Sequence, residues 1–413
     1  MAGSSRRHGA AREPARGGVG EPAPVAATAE TLAAASVPPT RVLVAMSGGV
    51  DSSVAAALLR QAGHEVIGCF MRLGEAGEAE GLVPDDGMCA TGGRRKQGCC
   101  SVNDAADARV VAATLGIPLY VMNFRREFGR IIDQFVAEYQ AGRTPNPCVR
   151  CNDWLKFGRL HEHAETLGAT HVASGHYAVV RRGEAGAELH RGADLAKDQT
   201  YALFGIRPDR LARTIFPLGD LEKPAVRELA SRLGLPVFDK PDSQEICFVP
   251  DQDYAGLLER RAPGSIRPGA LVDEAGRTIG EHRGHQHFTV GQRRGLGVAA
   301  TVPLYVLSKN AARNEVVVGP KAALRCRGAE ATEINWLDGD PPADWIECEV
   351  QWRLHGEAAA ARVRTIETET GLRLDVEFAR EEERLAPGQA VVCYRQGRVL
   401  GGAWFERVLD APV

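Results

Sequence analysis

The sequence predicts an α/β protein with a parallel-sheet N-terminal domain, a small central domain and a C-terminal antiparallel β-barrel or sandwich. Three observations predict it. From residue 41 onward, buried apolar runs alternate with helical patterns, the signature of a parallel sheet covered on both faces. Beyond about residue 283 the style changes to short alternating runs separated by turn signals. A length of 413 residues leaves room for two or three domains of about 100–200 residues each.

Residues 1–39 are rich in Ala, Gly, Pro and Arg without an apolar period, and are expected to form a disordered tail. Arg6, Arg7, Arg12 and Arg16 would suit an organelle transit peptide, but Glu13, Glu21 and Glu30 do not, since such peptides are poor in acids. The N-terminal domain is expected over 40–219. Arg41-Val-Leu-Val-Ala-Met46 reads as a buried strand, short, continuous and β-branched. Ser47-Gly-Gly49 breaks it, and 50–61 carries Ala and Leu at helical spacing up to Gly63. A strand over 64–71, a helix over 101–115 and a strand over 119–124 follow. Helices over 128–140 and 154–167, then a strand over 171–180, complete the alternation. A central domain is expected over 220–282, opened by Asp220 as the N-cap of a helix running to Gly234. The C-terminal domain, 283–413, carries strand patterns at 304–307, 315–318, 345–353, 361–366, 372–378, 390–394 and 399–405.

Composition narrows the function classes. Fifty Lys and Arg against 53 Asp and Glu give a net charge of −3, which excludes a polybasic coat protein but not a local nucleic-acid patch. No run of about 18 apolar residues predicts a membrane span, and the N-terminus lacks the apolar stretch of a secretory signal. Ten cysteines are too sparse for a disulfide-stapled domain, so a reducing, cytoplasmic setting is expected, where clustered thiols mean chemistry more often than staples.

Ser47-Gly48-Gly49-Val50-Asp51-Ser52-Ser53 joins the first strand to the first helix. Glycines let backbone close around an anion, and a helix N-terminus supplies N–H donors and the positive end of its dipole. The serines add hydroxyls, and Asp51 can hold a Mg²⁺ that bridges phosphates. No Gly-Lys-Ser/Thr occurs here, so this is not a Walker loop. On spacing alone, a Gly-rich turn with Ser caps remains an equal alternative.

Cys148-Val-Arg-Cys151 is a C-x-x-C after a Pro-rich turn, and Cys247 lies far downstream after Lys240-Pro-Asp-Ser243. A thiolate is a strong nucleophile and sulfur carrier, and a neighbouring cation raises its population; Arg150 and Lys156 are placed in sequence to do so for Cys151. A zinc site would need a second paired motif, and buried inert thiols remain the other alternative. Cys99 and Cys100 are adjacent in a Gly/Arg/Lys-rich stretch, whereas Cys69, Cys348 and Cys393 read as strand packing. His282, His285 and His287 fit no metal spacing and read as a polar loop. For nucleic-acid contact the candidates are Lys197-Asp198-Gln199, Arg293-Arg294, Arg353 and Gln389, with Trp352 beside Arg353 as a stacking platform; on the residues alone, an ordinary solvated surface role is the favoured reading of each.

Taken together, the loop at 47–53, Gly68-Cys-Phe-Met71, Arg143-Thr-Pro-Asn-Pro147 with Cys151-Asn152, Ala173-Ser-Gly-His-Tyr177, Lys197-Asp-Gln199, Asp242-Ser-Gln-Glu-Ile-Cys-Phe248 and Thr289-Val-Gly-Gln-Arg-Arg-Gly-Leu-Gly297 resemble, in order and spacing over 41–405, the tRNA-specific 2-thiouridylase family of PP-loop ATP pyrophosphatases. The resemblance implies an adenine-nucleotide α-hydrolase-like N-terminal domain that cleaves ATP between its α and β phosphates. It implies ATP contacts at Ala45, Met46, Ser47, Gly48, Gly49, Val50, Asp51, Ser52, Met71 and Gly175, with Mg²⁺. It implies that the wobble uridine of tRNA is adenylated at O2 and thiolated, the base being extruded near Asn146, Pro147 and Cys148, with His176, Lys197, Asp198, Gln199, Arg353 and Gln389 toward the tRNA. Cys247 would carry a persulfide from an external sulfur donor, and Cys151 would release the sulfur by forming a disulfide with it. One departure stands out: many members carry aspartate where this chain has Cys148. Cys148, Cys151 and Cys247 could therefore hold three irons of a [4Fe–4S] cluster whose fourth iron binds sulfide, and both sulfur routes remain open. A PP-loop amidating ligase would need no cysteine set, and a non-catalytic RNA-binding protein would need no intact loop. A monomer would suffice for the reaction.

Overall fold

The computed structural model describes residues 37–74, 102–183, 186–242, 246–249, 253–354, 356–383 and 385–409. Strands β1 (Arg41–Ala45), β2 (Glu65–Arg72), β3 (Leu119–Asn123), β4 (His171–Ser174) and the short β7 (Thr214–Ile215) form a parallel sheet in the order β3-β2-β1-β4-β7. Successive side chains of β1 serve opposite faces: Val42 and Val44 enter one apolar layer, Leu43 and Ala45 the other. That double burial is why the strand reads as an unbroken apolar run. Helices α1 (Val50–Gln61) and α2 (Val102–Leu115) cover the first face. Helix α3 (Arg125–Gln140) covers the second, together with one helical run made of α4 (Pro147–Arg150), a π-helical stretch over Cys151–Arg159 and α5 (Leu160–Thr166). The chain leaves β1 toward β2 and later returns on its other side as β4, so the strand order reverses beside β1 and opens a crevice at the strands' carboxyl ends.

Several expected boundaries move. The helix expected at 154 starts at Pro147, because Asn146 caps it and proline suits the first helical position. The strand expected over 171–180 divides into β4 and β5 (Ala178–Gly183), which pairs with β6 (Gly186–Arg191). The N-cap of α7 (Lys223–Arg232) is Glu222, not Asp220, and α6 (Pro208–Leu211) is a single turn.

The domain limits also shift. Val226, Leu229 and Ala230 of α7 pack in the same core layer as α1, so 220–242 belongs to the N-terminal domain, not to a central one. Val37, placed in the tail by sequence, packs against that layer, while residues 1–36 lie outside the described residues. After α8 (Tyr254–Arg261), the central unit is a four-stranded sheet of β8 (Gly269–Val272), β9 (Thr278–His282), β10 (Leu304–Asn310) and β11 (Glu315–Pro320), ordered β10-β11-β8-β9. It therefore ends near 320 rather than 282. The C-terminal unit is a closed antiparallel barrel of β12 (Arg325–Trp336), β15 (Gly371–Glu383), β14 (Ala359–Thr368), β13 (Ile346–Gln351), β16 (Ala390–Arg395) and β17 (Arg398–Leu409), sealed by β12 against β17. The β5–β6 hairpin extends this sheet by pairing with β17.

Barrel and N-terminal domain meet along the 143–150 loop. The Thr144 N–H donates to the Pro387 carbonyl at 2.6 Å, Gln389 Nε2 donates to the Thr144 carbonyl at 2.9 Å, and Arg143 bridges Glu138 and Glu406. Arg150 is buried between Trp154 and Trp404, with its guanidinium 4.0 Å from the Trp404 ring and 2.7 Å from Glu333. The expected polar loop at 282–287 is a packed junction instead: His285 bonds Asn314 and the Gln140 carbonyl at the end of α3. Among the described residues no helix is long and apolar enough to cross a membrane.

Candidate active site

The crevice beside β1 is built by residues 46–52. Met46 is buried and its N–H donates to the Cys69 carbonyl at 2.8 Å, so only its main chain can face a ligand. Gly48 has φ +72°, and a Cβ there would sit 2.2 Å from the Asp104 carbonyl, so glycine is required twice over. Ser52 Oγ accepts from the Ser47 N–H at 3.1 Å, and Ser53 Oγ donates to the Gly49 carbonyl at 2.7 Å, which curls the loop onto the start of α1. Gly49 caps α1 without a side-chain bond, leaving the helix end as an anion cradle. Gly175, at the end of β4, abuts this turn: a Cβ would lie 2.6 Å from the Ser52 nitrogen. Met71 is half-buried at the end of β2, just past the register where Ala45 faces Cys69.

Charged side chains surround the cradle. Lys223 Nζ donates to both oxygens of Asp51, at 2.7 and 2.8 Å, and lies 2.9 Å from Asp242. Tyr177 OH donates to Asp51 Oδ1 at 2.9 Å, and burial, then the Asp51 charge, push that phenol well above its usual range, so it stays a donor. Burial works to raise Asp242, but hydrogen bonds from Lys223 and Lys197 prevail and hold it at about 2. Lys240 Nζ caps the Gly48 carbonyl at 2.8 Å and pairs with Asp104 and Asp107.

Cys148 and Cys151 lie on the helical run that begins at Pro147. Asn146 Oδ1 accepts from the Cys148 N–H at 3.1 Å, Cys148 is exposed, and Cys151 is half-buried where the π-helical stretch begins. A shallow open cleft beside them is lined by Arg143, Asn146, Pro147, Arg150, Glu333 and Trp404. Cys247 is half-buried, and it and Cys151 border one apolar cluster. Phe248 anchors its segment, with ring centroids 5.2 Å from Phe135 and 5.7 Å from Phe128. Among the described residues no set of three His, Cys, Asp or Glu side chains is grouped to hold a metal. The two cations expected to serve Cys151 are engaged elsewhere: Arg150 with Glu333 and the tryptophans, Lys156 with His176 Nε2 at 3.4 Å.

Comparison with known proteins decides the family. The tRNA methyl transferase HUP domain matches residues 40–251, the tRNA methyl transferase PRC-barrel domain 257–320, and the aminomethyltransferase beta-barrel domain 326–405. These limits fall where the three structural units meet. Proteins named tRNA-specific 2-thiouridylase MnmA are similar over nearly their whole length. That of Chloroflexus aurantiacus is 48% identical over 368 residues, 89% of this chain and 98% of its own. That of Rhodopirellula baltica is 45% identical over 389 residues, 90% and 97%. That of Geobacter metallireducens is 46% identical over 373 residues, 89% and 97%. The chain belongs to the tRNA-specific 2-thiouridylase family.

In this thiouridylase-family chain, the residues expected toward tRNA occupy unlike places. Lys197 is partly exposed and bonds Asp242 at 3.0 Å. Asp198 is buried, accepting from Arg191, Gly192 and Thr200, so it positions the loop and offers no surface to an RNA. Gln199 Oε1 accepts from the Tyr177 N–H at 3.0 Å. His176 is buried between Phe157 and Phe216, bonded to Ser174 at 2.7 Å, and burial, then Lys156, push it well below its usual range, so it is neutral. Arg353 is exposed beside Glu383, but Trp352 is buried against Phe378, so it cannot be the stacking platform expected of it. Arg293 and Arg294 are exposed. Cys69 and Cys393 are buried in strands as expected, Cys348 is half-buried, and Cys99 and Cys100 lie outside the described residues.

Sequence reasoning assigned no role to Lys223, Tyr177 or Lys240. One signal was available for Lys223: a cation in the first turn of a helix opposes the dipole, so it needs a strong partner.

Proposed function

We propose that this chain is an ATP-dependent tRNA 2-thiouridylase acting on the wobble uridine. The observation that carries this reading is the tether between cradle and thiol: Lys240 and Asp242, bonded to Gly48 and Lys223 at the loop, lie shortly before Cys247 in the chain, which borders the same cluster as Cys151. ATP lies over 45–52 with its adenine toward Met71 and Gly175. Asp51 is the residue to hold a Mg²⁺, and its carboxylate fits, being partly open and already faced by a cation. Bound there, the metal would draw charge from the phosphates. The uridine, extruded beside Asn146, Pro147 and Cys148, presents O2 to the α-phosphorus; pyrophosphate leaves and C2 carries a good leaving group. The terminal sulfur of a Cys247 persulfide attacks C2 and AMP departs. The Cys151 thiolate then attacks Cys247 Sγ, releasing the thiolated base and leaving a disulfide that an external dithiol reduces. The sulfur step is written for cysteine sulfur; a [4Fe–4S] cluster held by Cys148, Cys151 and Cys247, with sulfide on its fourth iron, is the alternative route. Lys197, Arg293, Arg294 and Arg353 face the tRNA backbone.

Incubation with ATP, unmodified tRNA and a persulfide donor should release AMP and yield 2-thiouridine. Asp51→Ala should abolish adenylation, whereas Cys247→Ala should leave it and stop sulfur insertion. Full thiolation by Cys247→Ala, or a methylated but unthiolated product, would overturn the reading. Anaerobic purification with iron and sulfide assay separates the sulfur routes: colourless, fully active protein excludes a cluster.

A further inference from the structure

Lys223 is an unusual lysine. Its side chain is only 10% exposed, at the N-terminal turn of α7, where the helix dipole disfavours it. What holds it there is a set of three carboxylate oxygens, two from Asp51 and one from Asp242. Asp51 has 32% of its side chain open to solvent and follows the Gly48-Gly49 turn directly. An unneutralised carboxylate there would repel a polyphosphate, so some cation must accompany it.

Resting on the nucleotide reading above, we infer that Lys223 is a positioning residue, the resident counter-cation of Asp51, which must yield that carboxylate to the divalent cation arriving with the nucleotide. Two effects of opposite sign follow. Without the ammonium, Asp51 is left with the Tyr177 hydroxyl and binds a divalent cation more tightly. The same uncompensated charge weakens binding of metal-free ATP. A lysine that merely braced α7 would, when removed, loosen both.

The test uses the full chain without tRNA. ATP binding is measured in EDTA by calorimetry, and Mn²⁺ binding by its electron paramagnetic resonance signal. Lys223→Met, which keeps the aliphatic stem, should weaken metal-free ATP by roughly tenfold or more and tighten Mn²⁺ by a similar factor. Weakening of both, or a change in neither, overturns the inference. Should Lys223→Met fail to fold, Asp51→Asn decides. With the ammonium released toward the phosphates, metal-free ATP should bind as well or better while Mn²⁺ binding is lost. Metal-free ATP weakened tenfold by Asp51→Asn overturns the inference. A wild-type chain that binds no ATP with or without Mn²⁺ defeats the nucleotide reading itself, whereas intact ATP binding with the wrong signs defeats only the role given to Lys223.

Discussion

The nucleotide cradle and the corner that carries Cys148 and Cys151 are built by different means. The cradle sits on central strands, its glycines fit against backbone, and Asp51, Asp104, Asp107 and Asp242 are all ion-paired. The corner is one turn of α-helix running into a π-helical stretch, with Cys148 exposed and Cys247 held through Phe248. Phosphate activation needs donors and charges fixed in advance, because reorganising them during the reaction is costly. Sulfur transfer needs thiols that come together and part again. The contrast teaches that rigidity has been placed where charge develops.

The largest effect expected from testing this contrast is Gly48→Ala. The added Cβ meets the Asp104 carbonyl and the residue needs a positive φ, so nucleotide binding should be lost by calorimetry while the barrel keeps its near-ultraviolet signal. Retained ATP affinity would mean that the cradle is softer than its contacts imply.

A middle-sized effect tests Lys309 of β10, whose Nζ donates to the Arg143 carbonyl at 3.4 Å. Burial pushes Lys309 down to about 8, below its value of about 10.4 in an unfolded chain. Between those values the unfolded chain holds more protons, so stability rises with pH across that window, and the cost of the buried charge is fully present below it. Lys309→Met should raise Tm by roughly 2–4 °C at neutral pH and flatten the slope above pH 8. An unchanged slope in a pH series of melts would remove the argument.

The smallest effect is at Arg353. Its exposed pair with Glu383 contributes little to folding, so Arg353→Ala should leave Tm unchanged. It should lower tRNA affinity modestly and reduce the salt slope by about one. A fall in Tm without a change in salt slope would return the residue to a structural role.

How much of this was legible in sequence varies by region. The parallel sheet was, because β1 is apolar at every inner position. The loop at 47–53 was, because glycines, serines and Asp51 act over adjacent residues. Strand β12 escaped notice, since Arg325–Trp336 is rich in Arg, Ala and Glu and its alternation is faint. Trp352 read as a surface aromatic because nothing local shows that Phe378 will cover it.

The sequence alone determined the elements and chemistry that depend on neighbours in the chain: strand and helix periods, the glycine-lined turn, and the C-x-x-C spacing. Only the tertiary structure decided that Lys223 meets Asp51, that Arg150 pairs with Glu333 and Lys156 with His176, that 220–242 joins the first domain, and that β12 closes the barrel on β17. The physical reason is range. Local sterics and periodicity act within a turn or two of the chain, whereas a buried charge or a closing strand takes its partner from whatever distant segment packing delivers.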